Sequence, residues 1–337
     1  MTQTPLGTAA FRNSLASPRW ASLHPQPRSP VLCSIDHFIS GHDLEGTPTE
    51  RLPLFSKISP ENRTIVIITM TSDAAETWPQ WKLLAGQRDL LSCLRSRSKA
   101  CDDSRSHSLM FPMLDALEES TGTLLDLVRL RRMRDCYVIA RVVYETSVNT
   151  CFLLAGGDEV AERAWRHMKQ KSLRDLDRSF HIADEKVNLR WSGADEVLKD
   201  PDNQRLLDEF TSRSGREITA WTDENVPERL SVIHERYGKA SRNLYWALLL
   251  YRHASDIAHG SLFGVLFPWG ATEPPGPRTI EDMEKFREGN LRHVMMLTAS
   301  ALNSLIQIAA VELGHDDLVE SSNAVEKEYW DTPDRGY

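Results

Sequence analysis

The sequence of 337 residues has few cysteines. Its five cysteines are odd in number and show no C-x2-C spacing, so neither a disulfide framework nor a cysteine-ligated zinc site is indicated. They are Cys33, Cys93, Cys101, Cys136 and Cys151. Free thiols of this kind are typical of a reducing compartment, and we therefore expect a cytoplasmic protein.

The chain also lacks an excess of positive charge. Its formal net charge of −8 argues against a protein that coats DNA, because nonspecific binding to nucleic acid is driven by dense positive charge. A local basic cleft that holds RNA is still compatible with this composition. With 41% hydrophobic residues, the chain has ample material for the core of a soluble globular protein.

Several motifs that carry common chemistries are absent from the sequence. It has no G-x4-G-K-[ST] or G-x-G-x2-G segment for nucleotide phosphates, no H-E-x2-H zinc motif and no G-x-S-x-G serine hydrolase motif. His253 and His259 fall on opposite sides of a helix and could not bind one metal by themselves. We therefore predict no cofactor and no bound metal.

Residues 1–69 differ in composition from the rest of the chain. Eight prolines between Pro5 and Pro60 interrupt every potential helix, which predicts a disordered leader. The segment has no apolar core of a secretory signal, so export is not expected. A β-favouring run at 64–70 has no evident second strand, and a lone strand is unstable. One interpretation is that translation begins at Met70; the other is a dispensable extension.

From Trp81 onward the apolar residues recur with helical spacing. We predict an all-α helical bundle that forms a single domain over 70–315 and is followed by a flexible acidic tail at 316–337. The predicted helices cover 81–98, 109–155 with a break near Gly122, 158–180 after a stop at 156–157, and 280–313. Alternating charges over 163–178 indicate either a solvated face or a basic edge for RNA.

The apolar helix at 280–313 is long enough to raise the question of a membrane span. Its polar residues gather on one side, which instead favours a core helix of a soluble bundle. These residues are Ser300, Asn303, Ser304 and Gln307. We expect no membrane span.

The most informative segment is Tyr251–Gly260, in which Arg252 and His259 are seven positions apart. Seven residues make almost two helical turns, so the two side chains share one side of a helix, with Ser255 between them and Asp256 on the flank. The apolar run at 244–251 predicts a helix covered on most sides. A polar row on such a helix needs a partner.

A candidate partner lies about a hundred residues earlier. Arg141 and Glu145 are four apart and can pair along one helix. If that helix packs against the Arg252 helix, Glu145 could neutralise Arg252 or orient His259.

These two segments carry a resemblance to known families. Arg252-x6-His259 resembles the R-x4-6-H signature of HEPN domains, which are helical ribonucleases and toxins of bacterial conflict systems. Arg141-x3-Glu145 and Ser255-x3-His259-Gly260 are similar to the pattern of an uncharacterised bacterial group, the domain of unknown function family 5677. That resemblance covers roughly 85–312 and implies no activity.

Three functions remain open at this point, of which the last is a helical bundle that binds a small molecule. In the first, Arg252, Glu145, Ser255 and His259 form a buried network that fixes helix register in a binding or sensing module. In the second, the chain cleaves RNA without a metal: His259 moves a proton, Arg252 stabilises the charge on phosphorus, and Ser255 and Asp256 orient them, supported by Arg141 and Glu145. The HEPN resemblance implies a homodimer for this second function.

Overall fold

The computed structural model of the chain describes residues 72–98, 104–270, 276–277 and 279–333. All of them belong to one compact unit, Ile68–Tyr337. The predicted leader at 1–69 and the β-favouring run at 64–70 lie outside the described residues.

The described residues are mostly helical, which confirms the predicted all-α class. A 3-10 turn at Ser72–Thr77 leads into the first helix. In chain order the helices are α1 (Pro79–Ser98), α2 (Arg105–Arg129), α3 (Met133–Asp175), α4 (Ala194–Leu198), α5 (Pro201–Glu209), α6 (Val226–Tyr237), α7 (Arg242–Ala258), α8 (Leu262–Leu266), α9 (Ile280–Glu312) and α10 (Asp316–Asp331). Between α3 and α4 lies one hairpin of strands β1 (Asp177–Ile182) and β2 (Glu185–Arg190).

Helix α9 lies at the centre of the bundle, where it packs against α1, α3, α7 and α10. Both α3 and α9 are apolar and long enough to cross a membrane by length and composition alone. However, 56% of the most apolar window of α3 and 78% of that of α9 are buried inside the protein. This burial is what core helices of a bundle show.

The polar side chains of α9 are satisfied by neighbouring helices. Asn303 donates to the hydroxyl of Ser322 on α10 at 2.9 Å, and that hydroxyl donates to Gln87 on α1 at 2.9 Å. The hydroxyl of Ser304 accepts the backbone N–H of Asn243 at the start of α7, at 3.2 Å. Because buried amides are costly without partners, this network sets how α1, α7 and α10 align on α9.

One predicted helix break is wrong and another is confirmed. Helix α2 runs through Gly122 without a break and ends at Arg129, because a single glycine inside an apolar helical pattern is tolerated. In α3 the backbone is non-helical at Gly157, with φ 67° and ψ −158°, and two helical segments meet there at a kink. The glycine pair therefore ends one helical segment where the sequence predicted a stop.

The predicted helix at 158–180 is too long. Helix α3 ends at Asp175, and the following residues form the antiparallel hairpin, in which Phe180 pairs with Val187. Phe180, Ile182 and Val187 have the β-branched or aromatic side chains that favour strands. The preference of these residues for strands outweighed the helical spacing of apolar residues that predicted a helix as far as residue 180.

Three of the six cations at 163–178 form ion pairs with acidic residues. Arg166 forms an ion pair with Glu209, Arg178 pairs with Asp175 at 2.5 Å, and Arg163 lies 3.7 Å from Asp223. These pairs are solvent-exposed, as in the solvated-face interpretation, and each is worth little energetically. They neutralise part of the basic edge that RNA would require.

The acidic end of the chain is helical through Asp331, where the sequence predicted a flexible tail at 316–337. Leu318, Ser322 and Tyr329 are buried against the bundle. Their spacings of four and seven residues, about one and two helical turns, place them on one helix face. Gly314, at φ 69°, makes the turn from α9 into α10. The many acidic residues of this segment led to the prediction of a flexible tail, although one face of the helix is buried.

The corner between α7 and α8 is a compact turn made by the segment His259–Gly264. Gly260 has φ 64°, and its N–H donates to the carbonyl of Ile257, while the N–H of Ser261 donates to that of Asp256. This pair of bonds is the Schellman ending of a helix. The hydroxyl of Ser261 then accepts the N–H of Gly264 and caps α8. Gly260 therefore provides the positive φ that this helix ending requires.

Gly264 packs directly on the backbone of α7. A β-carbon at this position would lie 2.5 Å from the Cα of Ile257 and 2.6 Å from the carbonyl oxygen of Asp256. Because neither backbone atom can move without opening the corner, only glycine fits here.

We predict that Gly264→Ala lowers the free energy of unfolding by about 1–3 kcal/mol, the usual range for an overpacked site. Gly289→Ala in α9 is the matched control, because a β-carbon there meets no atom within 4 Å. The control should be neutral or slightly stabilising, since alanine favours helix by about 1 kcal/mol. Urea titrations of both variants measure the difference. Equal effects would show that the α7–α8 corner is loosely packed.

Candidate functional site

Arg252 and His259 lie on the same side of α7, and both are exposed to solvent. Ser255 and Asp256 are half-buried beside them. The four side chains are thus close along one helix, as their spacing predicted. The expectation that Arg252 and His259 belong to a buried network is wrong.

The reason is that α7 is covered on one side only. Leu244, Ala247 and Leu250 are buried against the bundle. On the other side Trp246 is 57% exposed and Leu249 is 62% exposed. The apolar run around the helix predicted that it is covered on most sides, but no other element of the described residues covers the outer face.

His259 also occupies a structural position. It caps the C-terminal end of α7, where its backbone N–H donates to the carbonyl of Ser255 at 3.0 Å. Its imidazole is exposed and makes no hydrogen bond or ion pair within the described residues. The Ser255-x3-His259-Gly260 pattern therefore includes a helix ending, and only the imidazole is available for binding or chemistry.

Arg141 and Glu145 lie on α3 in a separate polar seam. Arg141 Nη2 is 3.2 Å from Glu145 Oε1, which confirms the predicted pair along the helix. The Arg141 guanidinium also lies 5.1 Å from the ring centre of Tyr251 on α7. Within the described residues, no ion pair joins Glu145 to Arg252. The seam contacts α7 through Tyr251, so the predicted link from Glu145 to Arg252 is not formed.

Arg229 on α6 is the member of this seam that sequence reasoning missed. Its Nη1 donates to Asn149 Oδ1 at 2.6 Å, its Nε donates to the carbonyl of Glu224 at 2.9 Å, and its guanidinium stacks 5.3 Å from the ring of Trp221. Burial lowers the pKa of Arg229, and the negative charges of Glu224 and Glu145 act in the opposite direction. The spacing Arg141-x3-Glu145-x3-Asn149 could have shown that α3 carries a longer polar row.

The histidines near the site do not form a metal centre. The ring of His253 meets Phe263 and Phe267 edge-on, with both ring centres 5.7 Å away. Desolvation lowers the pKa of His293, and the charge of His253 lowers it further. Within the described residues, no group of three histidine, cysteine or acidic side chains could hold a metal ion.

We predict that Arg229→Met lowers the free energy of unfolding by about 1–3 kcal/mol, because the partly buried carbonyl and amide oxygens lose their donor. Arg252→Met serves as the matched variant and should change the free energy of unfolding by less than about 0.5 kcal/mol, because its exposed side chain has no partner among the described residues. Denaturant titrations of dilute protein compare the two. A larger loss for Arg252→Met would contradict this assignment of the buried cation.

Residues 115–267 match the model of a protein family described as a family of unknown function (DUF5677). The matched span is a little under half of the chain and contains Arg141, Glu145, Arg229, Arg252 and His259. No curated protein and no solved structure matches the chain. The resemblance to HEPN domains stays a prediction. The span from the middle of α2 to the end of α8, which holds both the buried seam and the exposed face of α7, is thus similar to a family without an assigned activity.

Proposed function

We propose that this protein is a helical binding module that holds another polypeptide on the outer surface of α7 and α8. We call this surface the α7–α8 face. The observation that supports the proposal is that this face exposes several large apolar side chains to solvent. The exposed apolar side chains are Tyr245, Trp246, Leu249, Leu262, Val265 and Trp269.

The composition of this face supports binding of a protein. Soluble proteins rarely leave large contiguous apolar patches open to water, and such patches mark interaction sites. Tryptophan, tyrosine and arginine are the residues most enriched where interfaces gain their energy. Trp246 and Leu249 stand one turn apart at the middle of α7, and Arg252 follows on the next turn.

The binding should take place in the cytoplasm. Cys93 is an exposed free thiol on α1, and Cys136 and Cys151 are buried and unpaired. Burial raises the pKa of Cys136 to about 12, so this thiol stays protonated and unreactive. Exposed free thiols persist in a reducing compartment.

The test places a photoreactive amino acid at position 249 in cells that express the full chain. We expect ultraviolet light to produce a covalent adduct whose mass identifies the partner. Position 130 is the control, because Leu130 is 67% exposed at the end of α2, outside the α7–α8 face. Absence of an adduct at 249, or equal adducts at both positions, would refute a specific binding surface.

RNA cleavage is the second candidate, and a separate observation favours it. Arg252 and His259 share one exposed line on α7, and within the described residues their side chains have no hydrogen-bond or ion-pair partner. Both groups are therefore free to meet a phosphodiester. His259 would accept the proton of a ribose 2′-hydroxyl, whose oxygen attacks phosphorus while the bond to the 5′ oxygen breaks and that oxygen takes a proton from water. Arg252 would stabilise the charge that develops on phosphorus.

We predict that, if the chain cleaves RNA, His259→Ala removes roughly 100- to 10,000-fold of the activity, because the proton acceptor is lost. The fold should be unaffected, since the imidazole is exposed. RNA integrity and growth of bacteria that express each form measure the effect. His181→Ala, an exposed histidine on the hairpin, is the control. Intact RNA and normal growth with the wild-type chain would exclude this candidate.

A further inference from the structure

We infer that the polypeptide on the α7–α8 face is a second copy of this chain, bound by antiparallel packing of α7 against its copy around a twofold axis at Leu249. This inference rests on the proposed binding function. It is carried by the order of the exposed side chains along α7.

The outward side of α7 is one continuous stripe centred on Leu249. At about 100° per residue, the side chains that lie within about 60° of Leu249 are those three, four and seven positions away in either direction. They are Arg242, Tyr245, Trp246, Arg252, His253 and Asp256. Five of the six are exposed, and Asp256 is half-buried. The stripe is thus available to a partner over its whole length.

The stripe of one copy is complementary to the stripe of a second copy that runs in the opposite direction. Seven positions before Leu249 stands a cation, Arg242, and seven positions after it stands an anion, Asp256. Three and four positions before Leu249 stand two aromatic rings, and three and four positions after it stand Arg252 and His253. In a twofold interface, if residue i contacts residue j, then j also contacts i. Each contact formed by this stripe would therefore occur twice.

An antiparallel pair of α7 helices would match these groups. The leucines at position 249 meet on the axis, and Arg252 of one copy lies over the Trp246 ring of the other, where a cation and a ring attract. Arg242 of each copy meets Asp256 of the other. Parallel packing would instead bring Arg242 against Arg242 and Asp256 against Asp256, which is repulsive.

These charges have no competing partner in the part of the chain that the structure describes. Within the described residues, the side chains of Arg242, Arg252 and Asp256 make no ion pair or hydrogen bond. Arg242 and Asp256 cannot neutralise each other within one helix, because 14 residues separate them by about 21 Å. A pair between them can form only across two copies.

The first test measures the mass of the full chain by analytical ultracentrifugation over a range of concentrations. We expect a dimer whose dissociation constant rises at least about tenfold in Leu249→Glu, since a central apolar contact is lost. Leu130→Glu makes the same change at an equally exposed leucine and should leave the dimer intact. A wild-type monomer at all concentrations, or a dimer that Leu249→Glu leaves unchanged, would overturn the inference.

The second test is a charge exchange. Arg242→Glu alone and Asp256→Arg alone should each weaken the dimer, and the double variant should restore it, because position 242 of one copy again meets an opposite charge at 256 of the other. Both changes suit the helix dipole, so α7 should stay folded. Failure of the double variant to recover would overturn the antiparallel arrangement. A monomer that still forms an adduct with a different protein at position 249 would refute this dimer and leave the binding function standing.

Discussion

Burial of α9 is the constraint on which the rest of this structure depends. The apolar part of α9, at 291–310, can be hidden from water only when neighbours surround it, and α1, α3, α7 and α10 do so. Its polar row would be costly in such a place without partners. Asn303 and Ser304 form hydrogen bonds with two of these helices, α7 and α10, and the bonds select one alignment among many apolar packings.

The position of α7 follows from this arrangement. One side of the helix fills the space beside α3 and α9, and the described elements leave its other side open. The helix therefore has two faces that both carry apolar side chains, one buried and one exposed. The inner face stabilises the bundle, whereas the outer face is open to water, with Arg252 and His259 beside it. The turn at Gly260 and the close contact of Gly264 hold α8 against α7 and extend the outer face.

The charged residues divide between two places with different roles. Arg141, Glu145, Asn149 and Arg229 form a partly buried seam between α3 and α6 that touches Tyr251 of α7. Arg252 and His259 belong to the surface. A buried seam whose groups are hydrogen-bonded contributes to a unique fold, while exposed and unpaired groups remain free for a partner or a substrate. The seam touches α7 at Tyr251, but the two sets do not form one site.

The sequence by itself determined the helical class, the long core helix at 280–313 within one residue at its end, and the common side of Arg252 and His259. These features depend on local spacing, because residues that are close together in the sequence set both the apolar period and the side of a helix on which a side chain lies. It could not determine the hairpin at 177–190, the docking of α10 or the openness of α7. Exposure depends on which other segments reach a surface, and Trp246 and Leu249 look the same in sequence whether or not a neighbour covers them. Only the tertiary structure, by leaving that side of α7 uncovered, separated the buried seam from the exposed face.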